Sequence, residues 1–302
     1  MSDSSDPVAQ DAPGLQTDGG YEGGYGLLPE APSITGHEQL RPIVRTEYRL
    51  AVRNRWALAL TAIFLVFSLG LVTFSGSNVS PAGFDRTVAS LAILAIYLVP
   101  LVALAFGYDA IVGEEQTGWL QVLFALPLAR HLIVVGTFVG RFVVLASAII
   151  IGFGIAGGML LFEFGFAGFE RYVGFMLATV ALGGVFLAIA ILISSVAREK
   201  THALGVSLVA WAWFVLVSDL LSLGVIAAVS VPDWVVSAMI LANPASVYRV
   251  LVLGGLGAGG EAGFAAILAE MTVSPGLLVV ALLAWIAIPV TIGGLLVGRR
   301  RL

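Results

Sequence analysis

Residues 108–141 read YDAIVGEEQTGWLQVLFALPLARHLIVVGTFVGR. Three carboxylates, Asp109, Glu114 and Glu115, fall within seven residues, and Pro127 and the basic pair Arg130–His131 follow before a long apolar run begins. The residues on either side are almost entirely hydrocarbon. Across the 302 residues, 59% are hydrophobic and 11% charged, with a mean hydropathy of +1.01. A soluble domain carries about 25% charge, so water is not the principal solvent of this chain. The compact polar stretch is a connection between membrane spans, and it must meet something outside the bilayer.

A hydrocarbon core of ~30 Å takes roughly 20 helical residues at 1.5 Å each. Six stretches satisfy this, at about 56–75, 88–107, 142–162, 172–196, 203–230 and 276–298. None alternates with a period of two, as barrel strands do. The fold predicted is an all-α polytopic membrane protein with six transmembrane helices. The 36 glycines agree with close helix contact in a membrane, and IGFGIAGG (151–158) and ALGGVFLA (181–188) are the predicted packing surfaces.

Residues 1–40 hold seven carboxylates and no Lys or Arg, with Gly, Pro, Ser and Asp prominent. That composition predicts a disordered acidic tail. It lacks the basic and apolar regions of a signal peptide. Residues 41–55 carry five arginines interleaved with Ile43, Val44, Tyr48, Leu50 and Val52. They read either as a basic amphipathic helix lying at the membrane interface or as a flank that only sets topology.

Lys and Arg near span ends orient a polytopic chain. Twelve of the fifteen cluster before span one, between spans two and three, between spans four and five, and at the C-terminus; Arg86, Arg171 and Arg249 fall on the other side. The expectation is a multi-pass plasma-membrane protein with both termini cytoplasmic, 108–141 inside, and a segment 231–275 outside. That external segment is broken by polar residues and reads as short interfacial or re-entrant helices near 234–241 and 246–253.

Several chemistries are missing. With no Cys there is no disulfide or thiolate metal site. His37, His131 and His202 lie in the tail or near span ends, so no buried base activates a nucleophile. The sole lysine, Lys200, follows Arg198–Glu199 rather than the glycines of a phosphate loop. The chain is therefore not expected to be an enzyme, and any ATP must be bound by another subunit. A self-contained secondary transporter is an alternative, but it calls for mid-membrane ionisable groups and an internal repeat. Only Asp219 lies well inside a span, and the halves do not repeat.

With Gly113, Glu114, Thr117, Gly118, Leu123, Leu126, Pro127, Arg130, Gly136 and Gly140 in this order, segment 108–141 resembles the segment after the second span of ABC type-2 transporter permeases, although the usual Gly-Thr order is here Thr117–Gly118. WAWFVLVSDLLSLG (211–224), LANPASVYRVLVL (241–253) and FLAIAILISSVAREKTHALG (186–205) resemble the copper-processing permeases of nitrous oxide reductase maturation; Ser246 stands where those often have an acidic residue. The resemblance covers about 100–298. It implies a six-span domain over 56–298 with the architecture of a type-2 exporter, two such subunits per transporter, and a separate ATPase pair that binds ATP and Mg. No cofactor is expected in this chain, and no nucleic-acid partner. An external accessory protein is a possible partner, and membrane lipids surround the spans. A general export permease for a lipid-like or drug-like molecule is the alternative substrate reading.

On that resemblance the ATPase-coupling residues are Asp109, Gly113, Glu114, Glu115, Thr117, Gly118, Trp119, Pro127 and Arg130. The carboxylates would meet basic groups of the ATPase, and Trp119 would be an apolar knob; it reads equally as an anchor at the headgroup level. Asn243, Pro244, Tyr248 and Arg249 form the external-segment motif. Asp219 is costly at depth, which leaves two readings: a role across the dimer or along a substrate path, or pairing with Ser218, Ser222 or Arg249.

Overall fold

The computed structural model describes residues 36–53, 55–74, 81–116, 130–228, 232–256 and 273–299. Every regular element among them is helical. α1 covers Gly36–Arg53 and α2 Trp56–Phe74; α3, Pro81–Gly107, turns through 108–111 into the short α4, Val112–Gln116. Two long spans follow, α5 (Arg130–Phe164) and α6 (Phe169–Val196). The fifth is composite: α7 (Lys200–Ala212), a π-helical turn (Trp213–Val217) and α8 (Ser218–Ala228). α9 (Asp233–Leu241) and α10 (Pro244–Gly255) meet at 108°, and α11 (Pro275–Arg299) is the last.

Six of these elements are long and apolar enough to cross a membrane. The bent pair α9–α10 is a broken span or a re-entrant loop by the same measure. α6 is the most buried span and forms the centre, touching α3, α5 and α11; α2 and the α7 span are the least buried. No apolar stripe separates one face of α6 from the other, as expected of a helix surrounded on all sides.

Membrane helices lack a water-driven force between them, so contact depends on how closely the backbones fit. Gly152 of α5 shows this. A Cβ there would lie 2.4 Å from the Cβ of Phe64 on α2, and Ser68 Oγ of α2 donates to the Gly152 carbonyl at 2.8 Å. Gly152→Leu is expected to destabilise the chain by about 1–3 kcal/mol through overpacking, read as a lower unfolding temperature in detergent. Gly154→Leu, two residues on where nothing lies within 4 Å, is the matched control.

α1 does not merely skirt the bundle. It packs along the first turns of α5, where Gly136 faces Ile43 and Gly140 faces Glu47; a Cβ on either glycine would come within 2.6 and 2.5 Å of those side chains. The two glycines, four apart on one helix face, open a groove that draws the backbone of α1 inward. Glu47 is consequently 8% exposed, unusual for a carboxylate in an arginine-rich helix.

Candidate functional site

Two polar clusters stand out, one at each end of the bundle. The first lies on the side where α1 sits. Arg141, the last residue of the 108–141 stretch and three turns into α5, is its hub. Its Nη1 donates to Asp109 Oδ1 at 2.9 Å and to the carbonyl of Phe106, at the exit of α3. Its Nε lies 3.6 Å from Glu47 Oε2, and its guanidinium sits 5.5 Å over the Phe106 ring. Thr137, one turn earlier on α5, donates to Glu47 Oε1 at 3.4 Å. Glu114 on α4 shares a hydrogen bond with Glu47. Three carboxyl groups from α1, the 108–111 turn and α4 thus converge on one planar cation. Arg suits this position because its fork satisfies several acceptors at once.

α4 is fixed independently. Its first free amides, Ile111 N and Val112 N, both donate to Ser194 Oγ of α6, at 2.9 and 3.1 Å. A side-chain hydroxyl from the central span therefore caps the short helix, meeting orphan donors that every helix start presents. The Lys200 stem passes over Gly113, where a Cβ would meet its Cε at 3.1 Å. A side chain at that position would press on the Lys200 stem.

Of the predicted coupling residues, Asp109, Gly113 and Glu114 meet in this cluster, Glu115 is next to it on α4, and Arg130 begins α5. Thr117, Gly118, Trp119 and Pro127 lie outside the described residues. Sequence reasoning missed Glu47, Thr137, Arg141 as the hub, and Ser194. Glu47 did carry a signal: it is the one acidic residue between Arg41 and Arg55.

The second cluster occupies the opposite side, at the α9–α10 corner. In the π turn, Ser218 N bonds to Trp213 O rather than one residue later. The Phe214 carbonyl is thereby released from the ladder. It accepts instead from Ser218 Oγ at 2.9 Å and from Asn243 Nδ2 at 3.0 Å. Asn243 Nδ2 also reaches Ser218 Oγ at 2.6 Å, and its Oδ1 caps α10 through Ala245 N. Pro244 takes the first helical position, which suits a residue with no amide to bond. One turn on, Tyr248 OH pairs with Thr179 Oγ1 of α6 at 2.9 Å. Arg249 Nη2 pairs with Asp219 Oδ2 of α8 at 2.6 Å. Trp285 of α11 donates to the Leu241 carbonyl at 3.0 Å.

All four residues of the external motif, and Asp219, therefore belong to one structure. They clamp the bent pair to α6, the fifth span and α11. Of the three partners considered for Asp219, the ion pair selects Arg249. Its second oxygen, Oδ1, is buried without a hydrogen-bond partner among the described residues. Nearer the α6 start, Arg171 Nη1 is 2.6 Å from Asp85 Oδ1 and joins α3 to α6. Among the described residues no group of three His, Asp or Glu is placed to hold a metal ion.

A chain with six helices long and apolar enough to cross a membrane, a charge-bridged cluster at one end of the bundle and a clamped corner at the other has the build of a multi-pass membrane protein. The description "ABC-2 family transporter protein" matches residues 41–302, and the chain belongs to that family as an ABC transporter permease subunit. It is 37% identical over 280 residues to a protein of Stutzerimonas stutzeri named "Probable ABC transporter permease protein NosY", a match covering 87% of this chain and 99% of that one. A protein of the same name from Pseudomonas aeruginosa is 37% identical over 260 residues, covering 80% of this chain and 92% of the relative.

Proposed function

We propose that this permease subunit is driven by a separate cytoplasmic ATPase that docks at 108–141, and that it works as a homodimer in the copper-centre assembly of nitrous oxide reductase. The observation that carries the docking reading is the Arg141 cluster. It joins α1, the exit of α3, α4 and α5, so a load applied to the connection reaches these four elements together. ATP and Mg are bound by the ATPase; this chain contributes no catalytic group. The side bearing α1 is cytoplasmic, in keeping with the strong excess of Lys and Arg there. The α9–α10 corner then faces outward, where an accessory protein would be met. The copper-centre context rests on the resemblance of 186–205, 211–224 and 241–253 to permeases of that system, and copper is cargo or context rather than a resident cofactor.

The decisive measurement is ATPase stimulation in proteoliposomes holding this chain and a candidate ATPase partner. Glu114→Lys combined with Trp119→Ala is expected to insert normally and to lose at least about tenfold of the stimulated rate. Normal stimulation in that double variant removes the docking reading. Transport by this chain with no ATPase present removes the ABC mechanism altogether. For the physiological context, a strain lacking the chain should accumulate reductase without its copper centre.

A further inference from the structure

Between α6, α10 and α11 lies a pocket of about 410 Å³ that neither cluster uses. Its floor is α6, where Gly174, Ala178 and Ala181 are too small to fill the space. Leu251 of α10 and Leu256 just past its end form one wall and Leu282 of α11 another. Its lips are Leu177, Val279 and Leu283, which are 67%, 45% and 57% exposed. On a membrane protein such side chains face lipid, so the pocket opens sideways into the bilayer. Among the described residues the one charged residue lining it is Arg171, in the first turn of α6.

We propose that this pocket is the seat of a resident zwitterionic glycerophospholipid, with one acyl chain in the trough and the phosphate on Arg171. Depth supports the assignment. From Arg171 to Ala181 is ten residues, about 15 Å of helix rise, which is one leaflet of a ~30 Å hydrocarbon core. The cation therefore stands where headgroups begin and the trough ends near the midplane. The lining beyond Arg171 is apolar and matches an acyl chain rather than a polar solute. Arg171 commits its Nη1 to Asp85, while Nη2 lies against Gly168, where any side chain would come within 2.6 Å. Glycine there, with φ of 81°, gives that edge of the fork room beside the backbone, and the Arg171 side chain is 36% exposed. The Glu170 carboxylate, 78% exposed and 4.0 Å from Arg171 Nε, is placed for a headgroup ammonium. A lipid in this seat would brace α10, and with it the clamped corner, against α6 and α11.

The test is photolabelling in phosphatidylethanolamine nanodiscs doped with an analogue carrying a diazirine on its acyl chain. Crosslinks mapped by mass spectrometry are expected to concentrate on 171–181 and 277–283, about tenfold over the exposed face of α5. Gly174→Phe fills the trough at a position where nothing lies within 4 Å, so the fold has room for it. It should erase the enrichment. Gly158→Phe, equally unobstructed but on α5, should leave it intact. Uniform labelling of all lipid-facing helices overturns the proposal, as it would if another part of the chain or a second copy filled the pocket. Undiminished enrichment in a monodisperse Gly174→Phe sample overturns it too.

Discussion

Arg141→Leu is expected to destabilise the protein by about 3 kcal/mol, the low end for breaking a buried ion pair, and to abolish coupling to an ATPase. The variant leaves Glu47, Asp109 and Glu114 facing one another with no cation between them. Asp109 retains some contact with water, its side chain being 38% exposed, which holds the figure down; Glu47 has little, at 10%. The Phe106 carbonyl loses its donor as well. A thermal melt of the detergent-solubilised chain reads the stability. Adding Glu47→Gln and Asp109→Asn to Arg141→Leu should recover most of it, because the cost lies in uncompensated charge rather than lost volume. Arg141→Lys should fall between, since an ammonium restores the charge without the fork. A wild-type melt for Arg141→Leu would mean that the cluster is a solvated surface feature.

The second large effect is at the far corner. Arg249→Met strands the Asp219 carboxylate, whose other oxygen already lacks a partner, and is expected to cost about 3–5 kcal/mol. Asp219→Leu on its own strands the guanidinium with a comparable penalty. Together, Asp219→Leu and Arg249→Met should come within about 1 kcal/mol of the parent, because both charges leave the apolar layer. The double-mutant cycle therefore predicts a large coupling energy, measured by unfolding in mixed micelles. Additive losses would show that the two side chains act separately. If the stabilised double variant also kept full activity in the assembled transporter, Asp219 would have only a structural task.

How much of this was legible in advance varied with the physics involved. The six spans were readable because hydrocarbon thickness sets a length and the sequence meets it six times. The bent pair on the far side was readable because Pro232, Asn243 and Pro244 punctuate an apolar run. Asp219 drew attention because charge at depth is costly, although the sequence left its partner open among three. Glu47 was harder. Its burial depends on Gly136 and Gly140 being on a helix ninety residues away, and no local pattern announces that encounter. The π turn at 213–217 was invisible. Nothing in WFVLV distinguishes it from α-helix, and its cause is tertiary: Asn243 and Ser218 accommodate a carbonyl that the regular ladder would have used. Ser194 was hidden for the same reason, being an ordinary serine in a membrane helix until α4 arrives at its hydroxyl.

The attachment of α4 to Ser194 has a mechanical consequence. Ser194 and Thr179 belong to the same helix, fifteen residues apart, so the two anchor points are separated by about 22 Å of continuous α-helix. One holds the short helix on the α1 side and the other holds Tyr248 of the bent pair. A hydrogen-bonded helix in a close-packed interior neither compresses nor bends cheaply, so axial displacement imposed at Ser194 emerges almost undiminished at Thr179. α6 is in that sense a pushrod: it ties the short helix on the α1 side to the bent pair through one stiff strut.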